Sequence, residues 1–231
     1  MGYDVLLIDI DNTLLDFNAA SGYAVEKVLT AHGVPYSAEK LTDFIRLNDG
    51  YWHRYERGEI EKSVIFENRF RDLLAMYGVH TEDPLGVNAM YADGLMEKIF
   101  YMPHCMEFLH AVRGKYRLYA VTNGVTKTQV SRLKTSGLGE YFDGVFISEQ
   151  MGCKKPEKAF FDKVFAAIGP VDKSRCILLG DSLTSDMQGG RNAGIDTCLL
   201  GEPTDDARCD YVVQDLLEAL PILRGERSEL C

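Results

Sequence analysis

The chain begins with an uninterrupted apolar run, Val5-Leu6-Leu7-Ile8, that ends in Asp9-Ile10-Asp11-Asn12-Thr13. A run without polar alternation predicts a strand buried on both faces, as in a parallel sheet. From about residue 18 to residue 99 the apolar spacing turns helical. Ala24-Val25 and Val28-Leu29 share one face and Gly33 can stop that helix. Ser37 can cap a second helix, carrying Leu41, Phe44-Ile45, Leu47-Asn48, Tyr51-Trp52 and Tyr55 and ending at Gly58. A third carries Ile65-Phe66, Phe70, Leu73-Leu74 and Tyr77 and ends at Gly78. A fourth is expected over roughly Val87 to Ile99. Four helices with short turns and no strand between them read as a bundle.

From Pro103 the pattern changes again. Pro103 can open a helix bearing Met106, Leu109 and Val112. Strands are then expected at Leu118 to Thr122, Val145 to Ser148, Cys176 to Gly180, Thr197 to Leu200 and Tyr211 to Val213, with helices at about 126–136, 157–168, 184–193 and 214–220. Such alternation implies right-handed crossovers and a parallel sheet with helices on both faces. The expected class is α/β: a Rossmann-like parallel sheet core over 1–15 and 99–231, with an all-helical cap domain inserted at 16–98. The insert leaves the chain just after Asp9 and Asp11. That suggests a lid over the carboxyl ends of the strands, where open α/β sheets bind ligands. Arg224 to Cys231 reads as a disordered tail.

Composition narrows the picture. A chain of 231 residues that is 46% hydrophobic suits one globular core with an insert. A net charge of −10 argues against a nucleic-acid polymer as partner. The six cysteines lack zinc-like spacing and read as reduced thiols. With no signal-peptide pattern and no membrane-length apolar run, the expectation is a cytoplasmic protein off the membrane, monomer or homodimer.

The candidate chemistry lies at strand ends. Asp9 and Asp11, two apart, are expected to face one place. At about 4 Å and an effective dielectric near 20 they would repel by roughly 4 kcal/mol. Taken alone, Asp11-Asn12-Thr13 can also be turn chemistry closing the strand, the lesser of the two readings. Thr122-Asn123-Gly124 offers a hydroxyl and backbone donors for a phosphate or carboxylate oxygen, or merely a helix cap. Of Lys154-Lys155, one lysine can bring positive charge to an anion at a helix start, while at least one is expected in solvent. The stretch from Gly180-Asp181 to Asp186 adds two more carboxylates. Four carboxylates, a hydroxyl and an ammonium suit Mg²⁺ and a phosphate ester. No histidine stands at these strand ends, which argues against zinc chemistry and a Ser-His-Asp mechanism and leaves a carboxylate nucleophile.

These four motifs, in this order, resemble those of the haloacid dehalogenase-like hydrolase superfamily. Asp9-Ile10-Asp11-Asn12-Thr13 resembles its first motif, with Asn12 where glycine is commoner; asparagine tolerates the left-handed conformation. Thr122 resembles the second, Lys155 the third, and Gly180-Asp181-Ser182 to Asp186 the fourth. The resemblance implies a magnesium-dependent phosphatase. Asp9 would be the nucleophile forming an aspartyl-phosphate, and Asp11 the acid and base. Thr122 and Lys155, with Asn123 beside them, would hold the phosphoryl group. The metal would sit on Asp9, Asp181 and the Asp11 backbone carbonyl, with Asp186 orienting a metal water or Lys155. Dehalogenases of the superfamily lack the second aspartate, so its presence favours phosphoryl transfer.

In the insert, Asn48, Trp52, Tyr55, Gly58-Glu59-Ile60 and Arg69-Phe70 are similar to the branch of pyrimidine 5′-nucleotidases acting on noncanonical substrates. So are Ile147-Ser148-Glu149 and Gly189-Gly190 to Gly194. Asn48, Trp52 and Tyr55 would then face the base and sugar; bundle packing explains Trp52 and Tyr55 equally, and Arg69 can be a surface charge. The alternatives are a phosphatase or phosphomutase for small sugar phosphates or phosphoglycolate, and a phospho-accepting receiver-like domain, which the large insert disfavours.

Overall fold

The structure is a computed structural model that describes residues 2–226. By backbone proximity the chain forms two compact units, one of 1–16 with 101–231 and one of 17–100.

The first unit holds a six-stranded sheet: β1 (Val5–Ile8), β2 (Arg117–Thr122), β3 (Gly144–Ile147), β4 (Cys176–Gly180), β5 (Asp196–Leu200) and β6 (Tyr211–Val213). Their order is β3-β2-β1-β4-β5-β6 and every pairing is parallel. β1 therefore lies inside the sheet, with Leu6 opposite Leu118 on one side and Ile177 on the other. Leu6, Leu7 and Ile8 are completely buried, as an unbroken apolar run requires. The strand order reverses direction at β1 and β4, and ligands bind doubly wound sheets outside the carboxyl ends of strands at such a point.

The second unit is all helical: α1 (Phe17–Ala31), α2 (Ala38–Glu56), α3 (Lys62–Met76) and α4 (Pro84–Glu97). Ser37 caps α2, accepting from the Lys40 amide. Gly33 and Gly78 follow their helices with φ of 71° and 72°, the left-handed turn that glycine makes without strain. The fourth helix starts earlier than expected, because Asp83 caps it by accepting from the Gly86 amide and Pro84 fits the first turn. Phe44, Phe70 and Tyr91 form the centre of this unit, with ring centroids 5.0–5.3 Å apart.

Among the described residues the first unit also holds helices α5 (Cys105–Val112), α6 (Thr126–Ser136), α7 (Ser148–Met151), α8 (Lys158–Ile168), α9 (Gln188–Ala193) and α10 (Ala219–Leu223). Several boundaries move from their expected places. Pro103 does not open α5; the Met102 amide is tied to Leu14, and His104 takes a left-handed turn before the helix begins at Cys105. Ser148 belongs to the short α7 and not to β3. The helix expected over 184–193 is a π-helical turn, Leu183–Met187, followed by α9. Leu216–Glu218 is a 3-10 turn leading into α10. Of the expected disordered tail, Arg224 to Glu226 instead form a hydrogen-bonded turn, with the Gly225 amide on Ile222 and the Glu226 amide on Pro221. The remainder, 227–231, lies outside the described residues, as does Cys231; Cys105, Cys153, Cys176, Cys198 and Cys209 are all free thiols. Among the described residues no helix is long and apolar enough to cross a membrane.

Phe70 is fully buried between Phe44 and Tyr91. Phe70→Ala should cost about 3–5 kcal/mol in urea unfolding, since both the transferred surface and the cavity count against the variant.

Candidate active site

The first carboxylate follows β1 directly. The Asp9 amide still pairs with Leu179 of β4, so Asp9 sits on the sheet edge itself. The chain then turns sharply. Leu14 and Leu15 amides both reach back to the Ile10 carbonyl, the Asn12 amide bonds Leu15, and Asn12 adopts φ 54°. Turn and site are thus one object, and asparagine supplies the left-handed residue.

Lys155 is the hub of the site. It is 1% exposed, and its Nζ donates to Asp9 Oδ1 at 2.5 Å, Asp186 Oδ1 at 2.6 Å and the Val121 carbonyl at 2.9 Å. Those three bonds use every proton of the ammonium. Lys154 is the less buried of the two, but its side chain is only 16% exposed and pairs with Glu157 at 3.1 Å, so the expected solvated lysine is absent here. The Lys155 loop is held by Asn123, whose Nδ2 donates to the Lys155 carbonyl and whose Oδ1 accepts from its amide, both at 2.9 Å. The side-chain amide of Asn123 thus positions the lysine.

Asp186 is fixed from two sides. Its Oδ2 accepts from the Ser182 amide, while Ser182 Oγ accepts from the Ser185 amide, a reciprocal cap at the start of the turn. Gly180 makes room for it, because a Cβ there would lie 2.4 Å from Asp186 Cγ. Oxygens of Asp9, Asp181 and Asp186 lie within 4.8 Å of one another, a grouping able to hold a cation. The Asp11 carboxylate is not among them, so any bond from Asp11 to that cation would come from its backbone carbonyl.

The electrostatics fit that reading. Burial pushes Asp9 up to about 7, and the charges of Asp186 and Asp11 add to it against the pull of Lys155. Burial, with Asp9 and Asp186, also raises Asp181 well above the usual carboxylate range. Burial would lower the Lys155 ammonium, but Asp186 and Asp9 outweigh it and hold it above the ordinary lysine value. Lys155 and Arg132 face the four aspartates Asp9, Asp11, Asp181 and Asp186, which leaves the charge that one divalent cation would balance.

Asp9 and Asp11, expected to face one place, are near enough for the Asp11 charge to act on Asp9, but their hydrogen-bond partners differ. Asp11 goes to α6, where its Oδ2 accepts from Gln129 Nε2 at 2.6 Å and its Oδ1 pairs with Arg132 Nη1. Gln129 Nε2 also reaches Thr122 Oγ1 at 2.8 Å, and the Gly124 amide donates to the same hydroxyl at 3.0 Å. The Thr122 proton remains free to donate. Gln129 and Arg132 were not anticipated. Their signal is a polar i, i+3 pair on the face that also buries Leu133.

The helical unit places its candidates in two groups. Asn48 is buried, and its Oδ1 accepts from Arg69 Nη1 at 3.0 Å; Asn88 accepts from Arg69 Nε at 2.9 Å. Arg69 is therefore an interior residue and not a surface charge. It lies 4.5 Å from the centre of the Tyr91 ring, and burial lowers its pKa to about 10. Trp52 and Tyr55 form an edge-to-face pair at 5.7 Å with the Lys62 ammonium over both rings.

Residues 3–194 match the family model of haloacid dehalogenase-like hydrolases. The chain belongs to that family. It is a hydrolase with the α/β Rossmann-like core of the fold. It is 35% identical to the pyrimidine 5′-nucleotidase PynA of Streptococcus pneumoniae over 95% of this chain and 96% of that one. It is 32% identical to the pyrimidine 5′-nucleotidase YjjG of Escherichia coli over 87% of each chain. The crystal structure of the HAD-hydrolase YfnB of Bacillus subtilis, bound to magnesium, superposes with a TM-score of 0.90 at 32% identity, covering 96% of this chain and 99% of that one.

Removing the hub should expose its cost. With a chelator present, Lys155→Met leaves Asp9 and Asp186 buried without their cation and should lose about 3–5 kcal/mol in urea unfolding. A loss under about 1 kcal/mol, the range of an exposed pair, would mean that Lys155 is not the buried counter-charge.

Proposed function

We propose that the chain is a Mg²⁺-dependent phosphatase that hydrolyses nucleoside 5′-monophosphates, pyrimidine or noncanonical, through an aspartyl-phosphate on Asp9. The observation that carries the reading is the grouping of Asp9, Asp181 and Asp186 around Lys155, with a second aspartate, Asp11, held apart from it. Likeness to two pyrimidine 5′-nucleotidases over most of the chain supports the nucleotide.

The residues fit the metal. Asp9, Asp181 and the Asp11 backbone carbonyl would hold Mg²⁺, with Asp186 beside them, and hard oxygen donors are its ordinary ligands. When bound it supplies positive charge between nucleophile and phosphate, where two anions must otherwise approach.

Lys155 engages Oδ1 of Asp9, which assigns attack on phosphorus to Oδ2. The P–O bond to the leaving group breaks as the Asp9–phosphorus bond forms. Asp11 gives its proton to the departing oxygen and then takes one from the water that hydrolyses the aspartyl-phosphate. Thr122 donates its hydroxyl proton to a phosphoryl oxygen. Lys155 opposes the developing negative charge while it keeps Asp9 and Asp186 in place. Asn48, Trp52 and Tyr55 remain the proposed contacts to base and sugar. Asn48 would contribute through Arg69, which it holds.

Phosphate release from a panel of esters with Mg²⁺ tests this. Nucleoside monophosphates should lead the panel. Turnover of sugar phosphates or phosphoglycolate alone would overturn the nucleotide and keep the phosphatase; conversion of one phosphate isomer to another without release would indicate a mutase. Chelation should abolish turnover and added Mg²⁺ should restore it. Asp9→Asn should reduce kcat by at least about 10⁴-fold with the melting temperature preserved, because an amide cannot form the covalent intermediate.

A further inference from the structure

The strongest feature that the reaction as described leaves unused is the pair on α6. Arg132 is 2% exposed, a guanidinium inside the core domain, and its Nε has no hydrogen-bond partner. Its pairing is with Asp11 Oδ1, and Nη1 also reaches Gln129 Oε1 at 3.2 Å. Gln129 is 1% exposed and bridges Asp11 Oδ2 and Thr122 Oγ1 through one amide nitrogen. Both oxygens of Asp11 are therefore held, each by a different side chain of one helix. A Cβ on Gly124 would lie 2.3 Å from Gln129 Nε2, so the glycine after Thr122-Asn123 is what admits the bridge.

A buried guanidinium needs an anionic partner and Asp11 supplies one, but an arrangement that leaves Nε unpartnered is a poor one for stability alone. The arrangement does serve orientation. Asp11 immediately precedes the left-handed residue Asn12 and its side chain is 27% exposed, so burial alone does not fix its rotamer. Two donors on a rigid helix do determine it, and the same amide ties that rotamer to the hydroxyl of Thr122.

We propose that Gln129 and Arg132 are positioning residues that orient the Asp11 carboxylate for proton transfer to the leaving oxygen, and that Gln129 couples it to Thr122. This rests on the acid and base role proposed for Asp11. A group that aligns the proton donor matters most where the leaving oxygen is strongly basic. It matters little where the leaving group departs as a stable anion. The consequence is a selective loss, legible in the ratio of two rates.

The experiment measures kcat and KM with Mg²⁺ on p-nitrophenyl phosphate and on the alkyl phosphate turned over fastest in the panel above. Melting temperatures are recorded alongside. Arg132→Lys keeps the charge but not the fork, and Gln129→Ala removes the bridge. Each should raise the ratio of kcat on p-nitrophenyl phosphate to kcat on the alkyl ester by about 10- to 100-fold, the size of loss that small misplacements produce, with KM for the alkyl ester within about threefold. Asp11→Asn should raise the ratio further. If Asp11→Asn leaves the ratio unchanged, the acid role fails and the inference falls with it. If Asp11→Asn raises it while folded Arg132→Lys and Gln129→Ala do not, the positioning claim alone is overturned. Equal losses on both esters count the same way. Should Arg132→Lys not fold, the ratio in Gln129→Ala decides.

Discussion

One buried ammonium organises the core domain's site. Lys155 gathers oxygens from three places along the sheet: Asp9 after β1, Val121 within β2 and Asp186 after β4. These strands are neighbours, in the order β2-β1-β4, so the lysine acts as a staple across the sheet's carboxyl edge. Such a buried charge cluster seldom outperforms apolar packing of equal volume. Its cost becomes intelligible once the cluster has chemistry to perform. Asn123 completes the staple from behind, fixing the lysine's backbone with both ends of its amide.

The staple also accounts for what the site still lacks in charge. Burial drives Asp9 and Asp181 toward the protonated form, and the charge of the lysine opposes this at both, in direct contact only with Asp9. Asp181 has no such contact among the described hydrogen bonds, and its nearest influences after burial are the like charges of Asp9 and Asp186. A carboxylate placed so that its own neighbours discourage its charge is a natural metal ligand. A divalent cation reverses the local sign that burial and repulsion impose.

Much of this could be read from the chain because each feature had a one-dimensional signature. The apolar run of β1 and its abrupt polar end were plain, as were the strand-helix alternation and the interrupting helices. What escaped were features whose signature exists only in three dimensions. Helix α6 has few apolar residues and looks solvent-facing, yet it buries Thr128, Gln129 and Arg132. Arg69 looked like a surface charge because nothing in its surroundings along the chain shows two amide oxygens and an aromatic face waiting for it. Of Lys154 and Lys155, local sequence could not say which one turns inward. Asn123 carries the polarity of a ligand contact and serves the backbone. For Arg69 polarity suggested exposure, an inference that fails where a polar partner is buried on a distant element.

The two aspartates that follow β1 show how identical residues acquire unlike surroundings. Side-chain exposure is 9% for Asp9 and 27% for Asp11. Asp9 remains in the sheet's hydrogen-bond ladder and bonds the lysine. Asp11, one residue before the left-handed Asn12, bonds a guanidinium and an amide on α6. Acid and base assignments follow from environments that differ in this way, since the chemistry of a carboxylate is set by what surrounds it. The two carboxylates share one short stretch of chain, yet one bonds the ammonium of Lys155 and the other the guanidinium of Arg132, so the surroundings of each are set by a different distant element.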